Sequence, residues 1–396
     1  MMYTKDEVFE FIEQEDVKFI RLFFCDINGR QKNISIMPSE LDRACEEGIS
    51  FDASQICGFG DVKSDLLLFP LPHTLNVLPW RPSHGKVVRM FCDIRYQDKS
   101  PFPKDSRYIL RHAVEAAHSA GISVQIGSEY EFYLFKLDEN GNPTKIPFDH
   151  AGYLDVAPED KGENVRREIC LTLLDMGIQT ESSRHKEGPG QNEIVFRYSD
   201  ALRTADNDMN FITVVKTTAQ HNGLYADFSP KPLEGESGNG LHINLSVKSL
   251  YGKNVTMPFL AGIIEHIREM TYFLNPAEDS YKRLGENKAP KYITWSPENR
   301  SQLIRIPPIR GEHERIELRS PDPMTNPYIA YALLIYAGLD GIQKNLTPPQ
   351  PVNINLQNAD KSVSDAFGSL PESLAEAELT AKSSEWIQNI LPFRFE

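Results

Sequence analysis

Four separated segments alternate polar and apolar residues with a period of two, and this pattern constrains the chain more than any other feature. GSEYEFYLF at 127–135 puts Glu129, Glu131 and Tyr133 on one face and Ser128, Tyr130, Phe132 and Leu134 on the other. NEIVFR presents Glu193, Val195 and Arg197 together, LHINLS presents His242, Asn244 and Ser246, and RIELR presents Arg315, Glu317 and Arg319. Any one such polar face is ordinarily read as the wet side of an antiparallel sheet. Four strands that share Glu, His and Arg, with almost no Lys, Ser or Thr, read instead as the walls of one polar cavity. Carboxylates with an imidazole suit Mg²⁺ or Mn²⁺, since hard cations select oxygen and Mn²⁺ accepts nitrogen. The arginines suit an anion, which their planar fork grips in bidentate fashion. Composition and spacing alone therefore reach metal-assisted chemistry on an anion.

Around these strands the chain reads as two domains. Residues 17–28 and 30–38 are β-rich runs joined at Asn28-Gly29, a hairpin signal that opens a small β domain. Charge, prolines and serines in QDKSPFPKDS at 97–106 predict a boundary, giving domains of 1–100 and 101–396. Beyond it, helical periodicity covers 107–120, 163–177, 201–222, 258–275, 326–345 and 371–390, and strand alternation covers 122–135, 192–199, 240–247, 300–307 and 314–320. Forty-two basic against 56 acidic side chains give a charge of −14, which disfavours nucleic acid and anionic membrane surfaces as partners. Five scattered cysteines without CxxC spacing argue for a reducing compartment. The acidic N-terminus lacks a signal-peptide pattern, so a cytoplasmic location is expected. GxxxxGK[ST] is absent, which excludes a P-loop.

Several motifs, in order along nearly the whole chain, resemble those of the glutamine synthetases. They are FDASQICGF at 51–59, SEYEFYLF at 128–135, PGQNEI at 189–194, DFSPKP at 227–232, GNGLH at 238–242, NRSQLIRIP at 299–307, RIELRSPDP at 315–323 and NPYIAYALLIYAGLDGI at 326–342. The resemblance implies an α+β fold: an N-terminal β-grasp domain, then a catalytic domain with a curved antiparallel sheet flanked by helices. It also implies a homo-oligomer, a double hexameric ring.

Position by position, the resemblance assigns Glu129, His242 and Glu317 to the metal that holds the ATP phosphates, and Glu131 and Glu193 to a second metal. Arg283, Arg319 and Gly238 match glutamate contacts; Arg300, Arg305 and Arg315 match phosphate-side arginines. Glu181 and Ser246 fall at nucleotide contacts, Asp52 at the carboxylate that binds ammonium across a subunit boundary, and Glu286 near the catalytic flap glutamate. The implied reaction uses ATP with Mg²⁺ or Mn²⁺ to phosphorylate the γ-carboxylate of glutamate, after which ammonia or another small amine displaces phosphate.

The departures from the family pattern are chemical. Lys186 stands where the second metal site has its third carboxylate, and Arg184 replaces a histidine. A unit pair at 4 Å is worth about 4 kcal/mol at an effective dielectric of 20, so exchanging −1 for +1 beside a divalent ion costs on the order of ten. The second metal is expected to bind poorly unless Lys186 swings away or Glu187 takes the role. In the flap, Lys288 aligns with the catalytic glutamate, with Glu286 as its substitute. Asn244, Ser237 and Glu312 are smaller departures. Three readings stay open: ammonia as acceptor, another amine, or a paralogue that binds with little turnover. His185 reads as a structural histidine, and Tyr328 and Tyr331 read as packing residues of a helix begun by Asn326-Pro327.

Overall fold

A computed structural model describes residues 4–81, 85–307 and 315–392. Glu312 lies outside the described residues. The chain forms two compact units, one of Met1–Arg111 with Thr172–Ile178 and one of His112–Leu171 with Gln179–Glu396.

The first unit holds a six-stranded sheet. Its strands are β1 (Val17–Cys25), β2 (Gln31–Ile36), β3 (Ile49–Phe51), β4 (Leu66–Pro70), β5 (Asn76–Val77) and β6 (Lys86–Arg95), in the order β2-β1-β6-β4-β3 with β5 on β6. β1 runs parallel to β6, and the other pairs are antiparallel. Ile20, Leu22, Leu66, Leu68, Val88 and Met90 are fully buried and form its core. The Asn28-Gly29 signal marks a five-residue connection. Asp26 accepts from the Asn28 and Arg30 amides at 3.0 and 2.9 Å, and Gly29 takes φ 73°. That local carboxylate competes with the ladder and ends β1 three residues before the predicted run does.

The second unit is built on a ten-stranded sheet ordered β14-β15-β16-β13-β7-β10-β9. These are β7 (Ile122–Leu137), β8 (Pro143–Pro147), β9 (Thr180–His185), β10 (Gln191–Phe196), β11 (Ser199–Asp200), β12 (Leu224–Asp227), β13 (Leu241–Ser249), β14 (Trp295–Ser296), β15 (Ile304–Arg305) and β16 (Ile316–Leu318). β8, β11 and β12 also pair with β7, which makes β7 the spine. Its apolar face is buried: Tyr130 and Phe132 pack with ring centroids 5.2 and 6.1 Å from Phe211 of the helix Ala201–His221. Helices Thr256–Leu274 and Pro327–Gln343 approach backbone to backbone, since a Cβ on Gly262 would lie 2.0 Å from the Ala337 carbonyl oxygen.

The strand over 192–199 breaks into Gln191–Phe196 and Ser199–Asp200, and two further predicted elements differ for local reasons. The strand over 300–307 contracts to Ile304–Arg305, because the Asn299 side chain accepts from Ser301 N at 2.9 Å and holds a turn. The helix over 371–390 splits into Leu374–Ser383 and Glu385–Ile390, because the Ser384 hydroxyl caps the second piece. Among the described residues, no helix is long and apolar enough to cross a membrane.

Candidate active site

The strand register assembles the polar face. Across β7 and β13, Glu129 lies opposite His242; across β7 and β10, Glu131 lies opposite Glu193. Glu193 in turn faces Arg184 on β9, and Glu317 on β16 faces both Asn244 on β13 and Arg305 on β15. Residues from 129 to 317 thus meet through five antiparallel ladders without any side chain leaving its strand face.

Glu129, His242 and Glu317 each offer a ligand atom within 4.8 Å of the others. His242 Nδ1 lies 3.3 Å from Glu129 and 3.9 Å from Glu317, so an imidazole, itself a metal ligand, stands between two carboxylates. This donor set fits Mg²⁺ or Mn²⁺. Burial opposes the charge on Glu129, but His242, Asn244 and Arg319 outweigh it and hold this carboxyl well below the usual range. Glu317 is lowered as well: Arg319 and His242 overcome its burial. Its oxygens accept from Arg305 at 3.0 Å and from Arg319.

The second carboxylate pair is arranged differently. Lys186 Nζ sits 2.8 Å from Glu131 Oε1 and 2.9 Å from Glu193 Oε1. Arg184 Nε lies 2.8 Å from Glu193 Oε2, and Gly240 N donates to Glu131 Oε2 at 2.7 Å. Every oxygen of the two carboxylates therefore has a donor. Burial would raise the Glu131 carboxyl, yet Lys186 and His242 hold it down to about 2, and the same pairing raises Lys186 well above the ordinary lysine range against its own burial.

Glu129, Glu131, Glu193, His242, Gly238, Arg283, Arg300 and Arg319 line one cavity of about 350 Å³. Gly238 is required by its surroundings: a Cβ there would lie 2.4 Å from the Pro230 carbonyl oxygen and 2.9 Å from Arg283 Cγ. Arg283 is buried and donates to the Ser320 carbonyl at 2.7 Å. The buried Nε groups of Arg305, Arg315 and Arg319 have no hydrogen-bond acceptor among the described residues, which is the donor surplus that phosphate oxygens would use.

Other predicted residues lie elsewhere. Glu181 is exposed on β9, while Ser246 is buried on β13 opposite Gln125, two pairs along from Asn244 opposite Gly127. Asp52 belongs to the first unit, where it caps a 3₁₀ turn and accepts from Ser54 N at 2.9 Å. Glu286 does not line the cavity; it pairs with Lys231 at 2.7 Å, and Asn287, Lys288 and Ala289 take the lining positions of the flap. Glu187 lines the cavity but is paired with Lys288 and approached by the Ser237 hydroxyl at 3.3 Å. His185 is structural: it contacts Asp149 at 2.9 Å and the Lys186 carbonyl at 2.8 Å, bracing the backbone beside that lysine. Its cluster with Asp149 and Asp160 has metal-like spacing, but Asp160 is paired with Arg166 and Asp149 also accepts from Gly190 and Lys161 amides.

One residue of interest had no sequence signal. Tyr198 is half-buried, and its buried hydroxyl, near Arg315, Glu129, Glu181 and Glu317, has no partner among the described residues; nor has Asn244 Oδ1, whose amide nitrogen donates to Glu129. An aromatic at a strand end reads as core, so only the fold exposes it.

Comparison with known proteins gives a consistent picture. The family profile for the glutamine synthetase catalytic domain matches residues 103–395, and that for the glutamine synthetase beta-grasp domain matches residues 16–97. A glutamine synthetase of Methanosarcina mazei is 45% identical, covering 98% of this chain and 90% of its own length. One from Clostridium saccharobutylicum is 43% identical, over 98% of this chain and 91% of its own. Among solved structures, a GmaS/ADP complex superposes with a TM-score of 0.87 at 29% identity, covering 97% of this chain and 92% of that one.

Proposed function

The chain belongs to the glutamine synthetase family, whose members are ATP-dependent glutamate ligases, and from that premise we propose that it joins ammonia to the γ-carboxylate of glutamate in glutamine biosynthesis. The observation that carries this reading is the convergence of Glu129, His242 and Glu317 on one another, with Glu129 and His242 lining the cavity beside Arg283, Arg319 and Gly238.

In this reading ATP and glutamate meet in the cavity. A divalent ion held by Glu129, His242 and Glu317 would supply charge neutralisation on the nucleotide phosphates. Arg305, Arg315 and Arg319 offer their free Nε donors to the transferring phosphoryl oxygens, and Arg300 adds a further guanidinium. Arg283 and the open backbone at Gly238 seat glutamate, with no Cβ to hold it off. Glu181, Ser246, Tyr198 and Asn244 are assigned to the nucleotide. Phosphoryl transfer gives an acyl phosphate, which the amine attacks while the flap at 285–289 excludes water. Asp52 is assigned to the acceptor site of a neighbouring subunit in a double hexameric ring.

A second reading, another small amine as acceptor, is favoured by one feature. Lys288 and Asn287 line the cavity while Glu286 is tied to Lys231, so the flap offers a cation where ammonium would need an anion. The resemblance to GmaS, a γ-glutamylmethylamide synthetase, points the same way.

Phosphate release by the purified protein with ATP, glutamate and Mg²⁺ or Mn²⁺, run in parallel with ammonium, methylamine and putrescine, tests both. Turnover with ammonium supports the first reading, turnover confined to another amine the second, and none with any acceptor removes both.

A further inference from the structure

The residues assigned to the second metal by family resemblance do not fit one. Glu131 and Glu193 carry two negative charges, and Lys186 with Arg184 carries two positive ones, so the cluster is neutral before any ion arrives. The Lys186 ammonium lies between the two carboxylates at 2.8 and 2.9 Å, the place a shared cation would take. All four carboxylate oxygens already accept from a donor: Lys186 twice, Arg184 and the Gly240 amide. The arrangement is also fixed from behind. Lys186 N donates to the Gln191 carbonyl at 2.8 Å, and the Lys186 carbonyl meets His185, which Asp149 anchors. The alternative occupant fails as well, since Glu187, next in the chain, is engaged by Lys288. At Glu129, His242 and Glu317 the carboxylate oxygens also have donors, Asn244 and His242 on Glu129 and Arg305 and Arg319 on Glu317, but the place between the two carboxylates holds an imidazole, itself a metal ligand, and not an ammonium. Among the described residues the arginines pair with Glu317 alone, and no lysine or arginine bridges it to Glu129.

We propose that the Lys186 ammonium is a tethered replacement for the second divalent ion, so that each subunit binds one metal ion where its relatives' ligand pattern provides for two. The inference rests on reading Glu129, His242 and Glu317 as a metal site, and it concerns the other half of the same cavity. Two of the three Lys186 N–H groups hold Glu131 and Glu193, which leaves one for an anionic oxygen of a ligand in the cavity that Lys186 lines.

Mn²⁺ binding to the purified full-length protein without nucleotide, counted from the electron paramagnetic resonance signal of the free ion, separates these cases. One Mn²⁺ per subunit in the wild type and two in Lys186→Glu are expected, because that substitution turns a neutral cluster into one of charge −2. Lys186→Ala guards against a misfolded Lys186→Glu: with Arg184 still on Glu193 the cluster is left at −1, and its melting temperature should rise on adding Mn²⁺ by several degrees more than the wild type's. Two ions in the wild type, or one in both the wild type and Lys186→Glu with no added Mn²⁺ stabilisation in Lys186→Ala, overturns the proposal. Glu129→Gln tests the underlying reading separately. It should abolish the wild-type ion, whereas a wild type with none and a Lys186→Glu variant with one would refute the Glu129 site and sustain the inference about Lys186.

Discussion

Glu187 and Lys288, 101 residues apart in sequence, form an ion pair between the β9–β10 connection and the flap. Lys288 is held there in a left-handed backbone conformation, φ 68°, with Tyr153 beneath its ammonium at 5.6 Å. The pair is partly exposed, so it is worth about 1 kcal/mol or less to stability, and its consequence should be kinetic. Lys288→Ala is expected to melt close to the wild type and to release phosphate without any amine acceptor about fivefold faster, roughly the rate equivalent of 1 kcal/mol of flap closure. Phosphate release measured with and without acceptor checks it.

Substitution of the metal trio should act on chemistry and leave the sheet intact. Glu129→Gln keeps the strand and the Asn244 contact but removes the charge opposite His242. Loss of one preorganised charge-stabilising group costs on the order of 100- to 1,000-fold in kcat. Steady-state kinetics with Mg²⁺ and with Mn²⁺ should show that loss with either ion.

Gly238→Ala is the corresponding test of the glutamate side. The new Cβ would crowd the Pro230 carbonyl and the Arg283 stem, displacing a guanidinium that is otherwise fixed on Ser320. A shift of about 1 Å in a positioning group costs on the order of 100-fold in kcat/KM. The expected loss appears in the glutamate titration, with the KM for ATP little changed.

Asp208 predicts a pH dependence of stability. It is fully buried between Ser128 and Tyr331, and burial pushes its carboxyl up to about 7, past the lowering effect of those hydroxyls. In the unfolded chain the same group titrates near 4. Between those values the folded state binds the extra proton, so stability falls as pH rises from about 4 to 7. Denaturant titrations at pH 5 and pH 7.5 should show a smaller drop for Asp208→Asn than for the wild type.

The legible parts of this molecule are those where local pattern and tertiary environment agree. Tyr130, Phe132 and Leu134 alternate with Glu129, Glu131 and Tyr133, and burial on the Phe211 side makes that alternation a strand. Asn326-Pro327 begins its helix with the Asn side chain accepting from Tyr328 N at 3.1 Å. Strand periodicity misses β9 because TESSRH has no apolar face; it is held by its ladder to β10. Lys186 was readable as a charge in the wrong place, but its position between two carboxylates follows from strand pairing between distant segments. Glu286 is the flap carboxylate that the family resemblance offers. Lys231, more than fifty residues earlier, draws it aside, and no local rule carries that information.

The in-register pairing of Glu129 with His242 and of Glu131 with Glu193 gives the cavity an all-or-nothing assembly. A slip of one residue in either ladder would turn a whole row of acids into the apolar layer and bring Tyr130 or Phe132 out in their place. Burying those charges would be prohibitive, so the hydrophobic energy that seats Tyr130 and Phe132 also proofreads the catalytic geometry. A misaligned sheet would be unstable as well as inactive, and a population of well-folded but dead subunits should not accumulate.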